Sequence, residues 1–134
     1  MRLALLGITL TVSLILSCAN RVSDLERATM TSNNIYNDIA PQVNSALSSP
    51  STDSTKVERL RLISQKLDEY RKAYDECIKA IDISKSTGRT PDNIRELYEE
   101  MWKPLIDAVE LASTLYIYPS ECTARTAIKG KACQ

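Results

Sequence analysis

Asp68-Glu69, Asp75-Glu76 and Glu99-Glu100 each set two carboxylates side by side, the residue type that the acid and base of a carboxylate hydrolase require. Each pair also has a lysine at helical spacing, Lys72, Lys79 and Lys103, so a solvated, self-neutralising helix face accounts for all three. The 134-residue chain contains no histidine. That removes Ser-His-Asp and Cys-His machinery, zinc sites of the H-E-x-x-H type and imidazole general bases. No serine is followed by lysine three residues on, no glycine-rich phosphate loop is present, and the four cysteines give neither a C-x-x-C redox pair nor a four-ligand zinc spacing. No metal, cofactor or catalytic residue is expected. Among the aromatics, Tyr70 and Tyr74 suit core positions with their hydroxyls at the boundary, the alternative being a ligand stack. Tyr98 and Trp102 lie four apart, on one face of a helix, and form a candidate partner contact if that face is exposed.

The elements that must position these groups are helical. In residues 57–88, Leu60, Ile63, Leu67, Tyr70, Tyr74, Cys77 and Ile81 recur in alternating steps of three and four, a stripe suited to a coiled-coil-like seam. Thr55 and Glu58 read as its capping box, and Gly88 as its left-handed stop. A second helix opens with Thr90 as cap and Pro91 at the first helical position, Asp92 complementing the helix dipole. Its inward stripe is Ile94, Leu97, Met101, Leu105, Ala108, Val109, Ala112 and Leu115, with Pro104 predicting a bend or two abutting helices. The short connection through Gly88 turns this helix antiparallel to the one before. Upstream, Leu25, Ala28, Ile35, Ile39, Val43 and Ala46 form a weaker stripe with a kink expected at Pro41, and residues 48–55 are a polar linker.

The amino terminus reads differently. Arg2 is followed by fourteen uncharged residues, 3–16, interrupted by Gly7, Thr9, Thr11 and Ser13. A membrane-spanning helix needs about 20 apolar residues, so this run has the size of a secretory signal. Ile15-Leu16-Ser17-Cys18, directly after it, resembles the lipobox of bacterial lipoproteins, with an aliphatic residue three before the cysteine and a small residue just before it. Leu16 departs from the smaller or β-branched residue more usual there. The resemblance covers residues 1–18 and implies a diacylglycerol on the Cys18 thiol, cleavage before Cys18 and acylation of the new amine. With Ala19 rather than Asp after the cysteine, it also implies, in enteric-type bacteria, an outer-membrane anchor facing the periplasm. Ser17-Cys18-Ala19 satisfies the small-x-small rule as well, and an ordinary signal cut there would release a soluble secreted chain without Cys18.

Three cysteines remain. Cys77 lies eleven residues before Gly88, about 16 Å down its helix, and Cys122 lies beyond the far end of the next one. A disulfide requires Cα atoms within about 7 Å, so Cys122 pairs more readily with Cys133, ten residues of chain lying between them, in an oxidising periplasm. Cys77 is then a buried free thiol, or an odd cysteine pairing with another chain or with Cys133. The Cys122–Cys133 loop would gather Arg125, Lys129 and Lys131 into a small basic lobe, either solvated or a contact for an acidic partner or lipid headgroups.

The expected organisation is a signal peptide at 1–17, a lipid-anchored tether at 18–24, an all-α antiparallel three-helix bundle at 25–118 and a disulfide-closed tail at 119–134. The chain carries no net charge, with 17 basic and 17 acidic residues, so it has no field to attract nucleic acid. The functional expectation is a lipid-anchored cell-envelope module that binds another envelope protein. The alternative is a soluble secreted hydrolase or ligand binder using carboxylates.

Overall fold

The computed structural model describes residues 21–120, which form three helices. We label them α1 (Val22–Ser48), α2 (Ser54–Thr87) and α3 (Ile94–Ser113). Among the described residues there is no strand, and each helix packs on the other two, α2 most extensively on α3. None of these helices is long and apolar enough to cross a membrane.

The core follows from the stripes. Leu60, Ile63, Leu67, Tyr70, Cys77 and Ile81 of α2 are buried, and Ser84 extends the row by one step; Tyr74 stays half-buried at its edge. Leu25, Ala28, Ile35, Ile39 and Val43 of α1 meet it, together with Thr29, Ser32 and Ala40, which an apolar stripe does not reveal. All the expected α3 positions through Ala112 are buried, joined by Tyr98, Trp102 and Pro104. Burial of each large apolar side chain contributes about 1.5–3 kcal/mol, so this shared interior holds the three helices together.

The helix ends depart from expectation in instructive ways. Asp53, rather than Thr55, caps α2, its Oδ1 accepting the Thr55 and Lys56 N–H groups at 3.0 and 3.2 Å. A carboxylate is the stronger acceptor at a positive helix end, and it draws Thr55 into the first turn. Gly88 ends α2 as expected, with φ 67° and its N–H donated to the Ser84 carbonyl at 2.8 Å. Helix α3 starts three residues later than the expected Pro91, because Asp92 and Asn93 form a turn that delivers Ile94 directly into the core. Pro104 does not split it into two abutting helices, and Pro41 lies within an unbroken α1. Helix α1 begins at Val22, inside the stretch expected as tether.

At its carboxyl end α3 closes in a Schellman motif, with Ile117 N–H bonded to the Ala112 carbonyl at 3.0 Å and Tyr116 N–H to that of Ser113 at 3.2 Å. The left-handed position usually taken by glycine is occupied by Tyr116, at φ 58°. Burial of Ile117 beside the core offsets the strain. The chain then lies across α1, where Gln42 Nε2 donates to the Tyr118 carbonyl at 3.1 Å and Asp38 Oδ2 accepts the Ser120 N–H at 2.9 Å.

Candidate functional site

Tyr70 sits at the centre of α2 with no exposed surface. Its hydroxyl was expected at the boundary, yet it meets Ser32 Oγ of α1 at 2.9 Å inside the core. Ser32 also donates to the Thr29 carbonyl at 3.1 Å and approaches Met101 Sδ of α3 at 3.5 Å. With the serine proton on that carbonyl, Tyr70 donates to Ser32. The cluster therefore draws one group from each helix and fixes their register, since a buried hydroxyl without a partner costs about 1–3 kcal/mol. Burial pushes the Tyr70 hydroxyl well above the ordinary tyrosine range, so it stays neutral.

From Tyr70 an aromatic row leads outward. Tyr36 of α1 stacks on it at 5.3 Å between ring centroids, and Tyr74, one turn along α2, lies at 5.9 Å. Both outer rings are half-buried. Over them lies the exposed Arg71, its guanidinium carbon 5.3 Å from the Tyr36 centroid and 5.2 Å from that of Tyr74. The side chain of Arg71 makes no ion pair or hydrogen bond with any described residue. Two half-buried rings and a cation without an ion pair or hydrogen bond among the described residues form a surface suited to binding. Tyrosine and arginine are the types that dominate contact energy at protein interfaces.

The expected contact at Tyr98 and Trp102 is corrected: both are buried, at 1% and 3% exposure, with ring centroids 6.2 Å apart. Helix α3 runs unbroken through Pro104 and turns this face inward against its neighbours. Burial pushes the Tyr98 hydroxyl up to about 12. Among the described residues the Trp102 Nε1–H meets no acceptor of hydrogen-bonding geometry. Cys77 is buried and free, its thiol 3.3 Å from the Leu97 carbonyl. Burial, with smaller contributions from Glu100 and Glu76, pushes that thiol up to about 12, which leaves it protonated and unreactive.

The acid pairs are exposed or half-exposed, and their partners differ from those expected. Lys79 binds Glu76 at 2.8 Å rather than Asp75, Glu99 binds Arg95 at 3.1 Å rather than Lys103, and Glu69 binds Lys66 at 2.9 Å. One further pair, Lys85 with Glu26, joins α2 to α1. Such exposed pairs contribute little stability. Among the described residues no three His, Cys, Asp or Glu side chains gather as metal ligands would. An open groove of about 480 Å³, lined by Pro41, Gln42, Ala46, Leu60, Leu115 and Ile117, lies where the helix ends meet. It holds no cluster of titratable groups.

Cys18, Cys122, Cys133, Arg125, Lys129 and Lys131 lie outside the described residues, and with them the expected lipidation, disulfide and basic lobe. The Tyr36–Arg71–Tyr74 surface escaped the sequence because an apolar stripe leaves a cation at position 71 on the solvated side; the only signal was the Tyr-Arg-x-x-Tyr spacing within one helix, and the third ring comes from α1. No protein-family model, curated protein or solved structure matches the chain.

Proposed function

We propose that the protein is a lipid-anchored, non-catalytic interaction module of the bacterial cell envelope, tethered through Cys18 and contacting an envelope protein through the α1–α2 face. The observation that carries the contact is Arg71 lying over Tyr36 and Tyr74 with no ion pair or hydrogen bond among the described residues. The anchor rests on the lipobox-like run ending at Cys18. In this reading residues 1–17 are the removed signal, and the membrane holds the bundle beside its partner, raising the effective concentration of both.

Three experiments test the reading. Detergent partitioning should place the wild-type chain in the detergent phase and Cys18→Ala in the aqueous phase, because two or three acyl chains bind a bilayer far more firmly than the marginal single chain. A mature chain beginning at Asn20 without lipid overturns the anchor. Chemical cross-linking in intact cells should give an adduct with a second protein that Tyr36→Ala with Tyr74→Ala abolishes; an adduct insensitive to both overturns the contact face. Non-reducing peptide mapping should join Cys122 to Cys133.

A further inference from the structure

Arg71 is one of several described cations without an ion pair, and it alone among them lies over aromatic rings. Lys66, Lys79, Lys85 and Arg95 each bind a carboxylate of the same chain. Arg71 has Asp68 three residues before it and Asp75 four residues after it, both at distances where helical ion pairs form. It pairs with neither and lies over the two tyrosine rings instead. The guanidinium lies within cation–π distance of both rings, and its N–H groups form the fork that matches a carboxylate. Part of the ordering cost of binding is therefore already met within the free protein.

We infer that the Tyr36–Arg71–Tyr74 face receives an acidic segment of a partner protein, with Arg71 binding a side-chain carboxylate and the two rings packing an adjacent apolar side chain; this rests on the interaction reading above. A protein acid fits better than an anionic membrane surface. Recognition of headgroups by a protein surface draws on clusters of about 4–8 basic residues, whereas Arg71 is flanked along its helix by Asp68, Glu69, Asp75 and Glu76. With Lys66, Lys72 and Lys79 interleaved among these acids, the face carries no net positive field for a flat anionic sheet. A narrow segment presenting one carboxylate over the rings avoids those acids.

The test uses the full mature chain in neutral detergent micelles and the capped peptide acetyl-Leu-Glu-Leu-Glu-amide as probe. Nuclear magnetic resonance should show the peptide shifting the Arg71 Nε–H and the ring signals of Tyr36 and Tyr74. The Gln counterpart of the peptide should bind about tenfold more weakly, since it loses the charge-assisted fork. Arg71→Lys, which retains the charge and leaves the fold unchanged by circular dichroism, should lose about fivefold because it lacks the planar, stacked donor set. Equal binding of the two peptides, full binding by Arg71→Lys, or shifts produced by phosphatidylglycerol vesicles and not by the peptide would each overturn the inference. In cells, a cross-linked partner retained by Arg71→Gln through this same face would overturn the acidic assignment and leave the interaction reading standing. Loss of that adduct in Arg71→Gln alone supports both.

Discussion

The molecule contains two aromatic clusters, and they have opposite fates. Tyr98 and Trp102 lie on α3 four residues apart, buried, with the indole N–H unpartnered. Tyr36, Tyr70 and Tyr74 run from the interior to the surface and end under a cation. Composition favours the first as a binding spot, since tryptophan leads the residue types found at contact centres. Position reverses that ranking. A ring inside the core stabilises the fold, and only a ring at its edge, held by others behind it, is available to a partner while still rigid.

The sharpest way to break this contrast is to truncate one member of each cluster. Trp102→Ala should destabilise the bundle by about 3–5 kcal/mol, the cost of an unfilled core cavity, while Arg71→Ala should change stability by no more than about 1 kcal/mol, the worth of an exposed cation–π contact. Comparable thermal midpoints for the two variants would erase the distinction between interior and surface. Next in size is the link between the clusters and the core. Ser32→Ala leaves the buried Tyr70 hydroxyl without its partner and should cost about 1–3 kcal/mol, whereas Tyr70→Phe should cost less, since Ser32 keeps its bond to the Thr29 carbonyl. Urea titrations giving the reverse order would place the hydroxyl bond elsewhere.

Alkaline pH sharpens the same picture. The Cys77 thiol is raised from 9.0 to about 12 and the Tyr98 hydroxyl from 10.0 to about 12, both chiefly by burial. The folded protein thus keeps protons that the unfolded chain releases, so this contribution is whole below pH 9 and is lost as pH rises toward 12. Cys77→Ala should flatten the early part of that decline, followed by chemical denaturation at successive pH values. The smallest effect concerns Tyr116, whose left-handed backbone costs about 1–2 kcal/mol and whose ring is 84% exposed. Tyr116→Gly should raise stability by about 0.5 kcal/mol, after the larger backbone entropy of glycine is subtracted; a lower midpoint would show that the ring is held.

Most of the fold was legible because it depends on periodicity, which is local. The α2 stripe and its Gly88 stop appear in the sequence as they do in the structure, since spacing of three and four residues and a left-handed turn both act within one helix. The cap at Asp53 was hidden because five cap-type residues, Ser51 to Thr55, stand in a row. Ser32 was hidden because a buried serine needs a partner 38 residues away in the chain, and Tyr70 shows no sign of it alone. The burial of Tyr98 and Trp102 was hidden for a related reason: helical spacing puts them on one face without saying which way that face points, and the packing of α3 on the other two helices decides it.

The central claim is that the α1–α2 face, rather than the outer face of α3, meets the partner. A photoreactive amino acid placed in turn at Tyr36, at Tyr74, and at the exposed α3 positions Glu99 and Lys103 tests it in living cells. Irradiation should yield a partner adduct from positions 36 and 74 and none from 99 and 103; adducts from α3 with none from α1 and α2 would contradict it.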